Sequence, residues 1–409
     1  MEKKERIMGR VLTVPEPTMT DSSPKGVSTR IIHNRRDHHD CNSPYTPIYN
    51  TTTYRFANTR ELLDTIEGRH SGYLYTRWGG NPTIRELEQG LAQLEQAEGA
   101  LAFAAGMAAI SATLFAHGRK GIVCVGDLYG GAQQLMTQHL SPLGIAVRFL
   151  RYEEIPQLGS HLSEGMLVYC ESPANPTLRL LDLAALAATA HQHGALLAID
   201  NTFASPINQQ PLALGADLVL HSASKYLSGH SDITAGAVMA SAALLKPIAS
   251  WRTSLGQIIS PEAASLLSRS IRTLSLRVRQ HNANALAVAK AMEAHPRISR
   301  VLYPGLTSFP DHTLACQQMK GFGGMLTIEV KGGREAAEKV ADHLQVFLLA
   351  TSLGGVESLV SQPVATSHHS LPPEEWARQG ITGGMLRLSV GLEDVDDLIA
   401  DLHQALALL

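Results

Sequence analysis

The chain is poor in several things that would direct its reading elsewhere. Its 409 residues hold four cysteines, Cys41, Cys124, Cys170 and Cys316, without the paired spacing of a disulfide framework or a zinc site. They read as buried free thiols of a reducing compartment. Excess charge is missing too: 34 basic residues face 37 acidic ones, a net −3 with pI near 6.7. No electrostatic footprint for nucleic acid or an acidic membrane results. No run approaches the ~20 apolar residues of a membrane span, and the first residues lack a signal-peptide apolar stretch, so a cytoplasmic location is expected. There is no internal repeat and no low-complexity segment. His38-His39, His191, His193 and His368-His369 have no carboxylate or cysteine spacing around them, so no metal is expected. The bland reading of these histidines is a solvated or helix-end role, with His368 or His369 a candidate to touch substrate at an entrance loop.

What is present is an ordinary globular balance, 44% hydrophobic and 17% charged. The length exceeds one comfortable core. Residues 1–71 read as a tail and an extended arm, with 1–28 flexible; residues 72–263 read as a cofactor-binding domain and 264–409 as a C-terminal domain. In the middle, short apolar runs alternate with helical patterns: Ile122 to Asp127, Met166 to Glu171, Ala195 to Asn201 and Asp217 to Ser222 read as strands. Such alternation predicts a mostly parallel sheet covered by helices, with ligand residues just past the strand ends. Those residues are Asp127, Glu171, Asp200 and Ser222. A long helix is expected over 262–294, followed by a smaller α/β unit.

Lys225 stands out. It lies in HSASKYLSGHSDITAG, among small and hydroxyl residues and without an acidic neighbour until Asp232. A lysine in a partly buried pocket can lose its proton near neutral pH and act as a Schiff-base nucleophile. By itself the stretch is equally compatible with an ordinary lysine at a strand-to-loop crossing. Four further stretches join it. Gly106 and Met107 open a helix, where free N–H groups favour a phosphate. Asp200 ends an apolar strand and could pair with a pyridine nitrogen. Tyr129 precedes two glycines, so its ring could lie against a flat cofactor. Tyr75 and Arg77 share a loop and offer a phosphate fork.

These stretches, with ESPANPT from Glu171, YPGL from Tyr303, SLGGVESL from Ser352 and RLSVGLED from Arg387, resemble the pyridoxal-phosphate enzymes of cysteine and methionine metabolism, the transsulfuration family. The likeness runs from about Ser28 to the C-terminus. It implies an α/β fold of the aspartate-aminotransferase type (fold type I) and a homotetramer whose active sites are shared between subunits. It implies that Lys225 carries pyridoxal 5'-phosphate and that Asp200 holds the pyridine nitrogen. Gly106, Met107, Ser222 and Ser224 would bind the phosphate, with Tyr75 and Arg77 supplied by a neighbouring subunit. Tyr129 would stack on the ring and serve in proton transfer, and Thr202 would support the ring's other polar atoms. Asn175, Ser352 and Arg387 would hold the substrate carboxylate, with Thr351 beside them.

The implied chemistry is γ-elimination or γ-replacement on a sulfur-containing or homoserine-derived amino acid, in the manner of the cystathionine γ-synthase and γ-lyase branch. A β-elimination releasing pyruvate, a methionine γ-lyase type of reaction, and a cofactor-binding regulatory protein are the alternatives. Several positions depart from the family pattern. Thr351 stands where an acidic residue precedes SLGG in cystathionine-handling members, Gln134 where they often carry arginine, and Leu74 where some γ-lyases are acidic. Gly131 replaces the cysteine typical of methionine γ-lyases, and the loop from Arg77 to Asn81 is one residue longer than the pattern.

Overall fold

The computed structural model describes residues 25–34, 43, 45–369 and 372–409. The expected flexible tail, Cys41 and His38-His39 therefore lie largely or wholly outside the described residues. A seven-stranded sheet is built from β1 (Gly99–Phe103), β2 (Ile122–Val125), β3 (Val147–Leu150), β4 (Leu167–Glu171), β5 (Leu196–Asp200), β6 (Leu218–His221) and β7 (Gly236–Ala240), in the order β1-β7-β6-β5-β4-β2-β3. From β6 through to β3 neighbouring strands run parallel, whereas β7 is antiparallel to both β6 and β1. The central strands are buried throughout, which is why they read as continuous apolar runs without alternation. The sequence reading did not anticipate β7, whose residues GAVMA are short and small.

A second sheet comprises β8 (Ile298–Leu302), β9 (Met325–Val330), β10 (Leu348–Leu349), β11 (Leu359–Ser361) and β12 (Met385–Ser389), ordered β10-β11-β12-β9-β8 and antiparallel except between β10 and β11. It has its own core of Leu326, Ile328, Leu386, Leu388 and the apolar faces of helices Leu274–Glu293, Gly333–His343 and Val395–Leu406. The fold is thus a large, mostly parallel domain with a smaller C-terminal one.

Three expectations change. The helix expected over 262–294 is two, Pro261–Ile271 and Leu274–Glu293. The break has a physical use: Arg277, buried, donates to the Ser270 carbonyl at 2.9 Å and also to the carbonyls of Tyr226 at 2.7 Å and Leu227 at 3.3 Å. One guanidinium thereby braces the turn that follows Lys225. The arm begins with a helix, Val27–Ile32, and its continuation is tied to its own chain. Asn81 donates to the Tyr49 carbonyl at 2.8 Å, and Tyr45 donates to the Ser265 carbonyl at 2.7 Å. Cys124 and Cys170 are buried, but Cys316 is exposed on the helix His312–Gln318. The apolar pattern that marks the first two is absent around the third.

Candidate active site

At the carboxyl ends of β4, β5 and β6, where the sheet faces the small domain, lies a cavity of about 1140 Å³. It is lined by Gly106, Met107, Tyr129, Asn175, Asp200, Thr202, Ser222, Ser224, Lys225, Thr351, Ser352 and Arg387. Twelve of the residues singled out in the sequence, from Gly106 to Arg387, thus meet in one space. Tyr75 and Arg77 do not join them. Tyr75 immediately precedes the turn Thr76–Trp78 and is exposed beside Trp78, and Arg77, on the turn, donates to the Thr253 carbonyl at 3.0 Å. Gln134 pairs with Gln138 at 3.1 Å and, with Leu74, lies outside the cavity lining.

Parallel strands deliver the acidic residues together. Glu171 ends β4 and Asp200 ends β5 as direct register partners. Burial raises the affinity of both for protons, and the pair repels. Asp200 is partly relieved by hydrogen bonds from Thr202, whose N–H donates at 3.0 Å, and by nearby His221. Burial first, and then the neighbouring Asp200 charge, raise the proton affinity of Glu171 well above that of an ordinary carboxyl. Glu171 was noticed only as a strand-end residue. It accepts the Tyr129 N–H at 2.9 Å and so fixes the loop that carries that ring. Asp127, the fourth strand-end residue, lies outside the cavity and is paired with Arg378 at 3.4 Å.

The helix Gly106–His117 points its start at the cavity, and no side chain caps it. Its first N–H groups are therefore free for an anion. Gly106 is required by crowding: a Cβ there would lie 2.8 Å from Ser222 Cβ and 2.9 Å from Ser222 Oγ. Ser222 cannot retreat easily, because its N–H donates to Thr202 Oγ1 at 2.8 Å. Ser224 closes the same turn, its hydroxyl accepting the Ala235 N–H at 2.9 Å.

Lys225 Nζ donates to Ser352 Oγ at 2.7 Å. Burial, and secondarily the charge of Arg387, hold its pKa below the ordinary 10.5. Arg387 is buried, donates to Asn175 Oδ1 at 3.1 Å and to the Ser352 carbonyl at 3.0 Å, and is lowered to about 10 by burial. Ser352 is held at φ 87°, a left-handed conformation uncommon for a residue with a Cβ. Amine and guanidinium thus converge on a polar corner between the two domains.

The histidines fall as follows. His191 pairs with Asp217 at 3.0 Å, and His193 Nδ1 meets the Thr189 carbonyl at 3.0 Å. His368 is buried and does not line the cavity; its neighbours Thr366 and Ser367 do. Among the described residues no cluster of three or more His, Cys, Asp or Glu could hold a metal ion, and no helix is long and apolar enough to cross a membrane.

Residues 28–407 match the model of a family described as Cys/Met metabolism PLP-dependent enzyme. The chain is 42% identical over 387 residues to L-methionine gamma-lyase of Pseudomonas putida, covering 93% of this chain and 97% of that protein. It is 43% identical over 365 residues to cystathionine gamma-synthase 1, chloroplastic, of Arabidopsis thaliana, covering 88% of this chain and 65% of that protein. Among solved structures, cystathionine gamma synthase from Xanthomonas oryzae pv. oryzae in complex with aminoacrylate and cysteine superposes with a TM-score of 0.88 at 37% identity, covering 94% of this chain and 98% of that one.

Proposed function

The chain belongs to the Cys/Met metabolism PLP-dependent enzymes, and from that premise we propose that it catalyses γ-elimination or γ-replacement on a sulfur-containing or homoserine-derived amino acid. The observation that carries this reading is the corner where Lys225 Nζ lies 2.7 Å from Ser352 Oγ while Arg387 reaches Asn175 and the Ser352 carbonyl. It offers a proton-accepting amine beside a cradle for an α-carboxylate.

The residues present fit pyridoxal phosphate. The uncapped helix start at Gly106 and Met107, with Ser222 and Ser224 against it, would hold the phosphate, and the closeness of Gly106 to Ser222 leaves no room for a side chain there. Asp200 would hold the pyridine nitrogen, Tyr129 would cover the ring and Thr202 would support its polar atoms. When bound, the cofactor supplies an electron sink for the pair left on Cα when its proton departs.

The chain's own groups do the rest. Arg387, Asn175 and Ser352 hold the α-carboxylate and so orient the Cα–H bond. Lys225, its amine kept available as a base by burial, removes that proton and returns it elsewhere. Tyr129 serves as acid or base toward the departing group. Beyond this corner the lining carries Thr351, Leu348, Leu353 and Leu359 with the carboxylates of Asp232 and Glu357, and its cations are Lys225 and Arg387 alone among the described lining residues. That lining favours an uncharged γ-substituent over one ending in a carboxylate.

Tyr75 and Arg77, exposed and away from their own cavity, would serve the cavity of a neighbouring subunit, within a homotetramer. A cytoplasmic setting agrees with the unpaired Cys124 and Cys170.

The test is to identify the oxo acid released from a panel of methionine, homocysteine, cystathionine, cysteine and O-substituted homoserines, with and without an added thiol. Release of 2-oxobutyrate places cleavage at Cγ, and the best substrate names the leaving group. Pyruvate alone overturns the γ-carbon reading in favour of β-elimination. Should Lys225→Ala keep the cellular function, a regulatory role replaces an enzymatic one.

A further inference from the structure

Two glycines follow Trp78, and only the first is demanded by its surroundings. A Cβ at Gly80 would meet nothing closer than 3.6 Å, an ordinary contact. Gly79 is held at φ 85°, in the left-handed region, and its N–H closes the turn Thr76–Trp78 by donating to the Thr76 carbonyl at 2.9 Å. A Cβ there would lie 2.6 Å from Arg252 Nη2. The bare Cα of Gly79 is thus pressed against a guanidinium.

Arg252 belongs to the last turn of the helix Ala242–Leu255 and is only 4% exposed. β1 stands at the edge of its sheet, and Ala102 is satisfied from outside the sheet. Its N–H donates to Glu88 Oε1 at 3.0 Å, and its carbonyl accepts Arg252 Nη1–H at 2.7 Å. Glu88 Oε1 also lies 2.5 Å from Arg252 Nη1. One end of the guanidinium therefore closes the sheet edge and leaves Nη2 against Gly79. The next residue adds a second attachment. The Thr253 carbonyl, one of the last four of the helix and so open to an outside donor, accepts Arg77 Nη1–H at 3.0 Å. Arg77 keeps further N–H groups in its planar fork, so this bond aims the side chain without exhausting it. Two consecutive residues of one helix end thus fix the turn at two points, Gly79 by close contact and Arg77 by a hydrogen bond.

We propose that Arg252 is a positioning residue for recognition of the cofactor phosphate: through Gly79 it fixes the turn from which Tyr75 and Arg77 are presented to the cavity of a neighbouring subunit. Affinity for the phosphate, and not for the pyridine ring, is the property it controls. The inference rests on the reading of Tyr75 and Arg77 as residues that serve a neighbouring cavity.

The experiment titrates the cofactor-free enzyme with pyridoxal phosphate and with pyridoxal, which lacks only the phosphate, following the change in absorbance. Arg252→Lys keeps a charge facing Glu88 but loses the planar fork. Gly79→Ala leaves Glu88, Ala102 and Arg252 in place and displaces the turn, so it reads the same contact even if the lysine variant does not fold. Each is expected to bind pyridoxal phosphate about tenfold more weakly and pyridoxal as before. Equal weakening of both ligands, or of neither, overturns the proposal. Mixing either variant with Lys225→Ala under subunit exchange then locates the affected cavity. Hybrids that combine the variant's Lys225 with the intact turn of the other chain should regain activity at limiting cofactor. No gain also overturns the proposal, because the contact would then serve its own cavity. Arg77→Ala is measured alongside: if it too fails to distinguish pyridoxal phosphate from pyridoxal, the reading of Arg77 as a phosphate-binding group has failed, and the proposal with it. If it does distinguish them and the Arg252 and Gly79 variants do not, only the positioning role is lost.

Discussion

Replacing Gly106 by alanine sets two effects against each other. In a helix interior alanine is favoured over glycine by about 1 kcal/mol, so an open position would gain stability. Here the added Cβ would meet Ser222 Cβ at 2.8 Å, Oγ at 2.9 Å and Cα at 3.0 Å, where carbon atoms prefer about 3.5–4.0 Å. Relief requires the helix start or Ser222 to shift by roughly 0.7 Å, the difference between those separations. Ser222 is tied through its N–H to Thr202 at 2.8 Å, and its carbonyl accepts the Lys225 N–H at 3.1 Å. Any shift of Ser222 is therefore passed to Thr202 and Lys225. Overpacking of this kind costs about 1–3 kcal/mol. The net loss for the cofactor-free protein is small, roughly 0–2 kcal/mol once the helix preference is subtracted. Cofactor binding has no such compensation, because the free N–H groups and Ser222 are the atoms displaced. Titration of the cofactor-free enzyme with pyridoxal phosphate should show an affinity weakened about tenfold to a hundredfold, while urea unfolding of the same protein stays near wild type. An alanine variant that is both more stable and as tightly loaded would refute the assignment of this helix start as the phosphate cradle.

Capture of pyridoxal phosphate by the cofactor-free enzyme needs the unprotonated Lys225 amine, so its rate should rise with pH and level off below pH 10.5, the ordinary lysine value. Arg387→Gln removes one of the two causes of that depression and should move the plateau to higher pH, as stopped-flow absorbance would report; an unmoved plateau argues against the coupling. Arg77→Ala and Lys225→Ala are each expected to lower activity by at least about a hundredfold. Mixing the two variants under conditions of subunit exchange should restore part of the activity, since some interfaces then combine an intact Lys225 with an intact Arg77 from the other chain. No recovery would mean that Arg77 serves its own subunit or none.

Much of the site was legible because parallel strands have a simple rule. Their carboxyl ends face one way, so Glu171, Asp200 and Ser222 were placed together from three apolar runs. The same rule included Asp127, which the fold turns aside to Arg378. Other errors share one origin, the dependence of a local pattern on distant partners. Pro261–Ile271 and Leu274–Glu293 read as one helix because nothing local marks Thr273 as a break. The break is stabilised by Arg277 reaching carbonyls fifty residues away at Tyr226 and Leu227. Within residues 1–71, read as a tail and an extended arm, hydrogen bonds from Asn81 and Tyr45 fasten the stretch around Tyr45 and Tyr49 to the chain's own helices, contacts that no local pattern announces.

By itself the sequence determined the kind of chemistry: an isolated lysine among small hydroxyl residues, a carboxylate closing an apolar strand, a glycine at a helix start and an arginine in a late strand. These are local facts, because residue type and strand or helix ends depend on near neighbours. Only the tertiary structure decided that two neighbouring carboxylates are buried side by side with raised proton affinity, that Tyr75 and Arg77 lie outside the lining of their own cavity, and that a buried arginine, Arg277, braces the turn after Lys225. Those outcomes depend on burial and on distances between segments far apart in the chain, and neither quantity exists until the two domains have packed together.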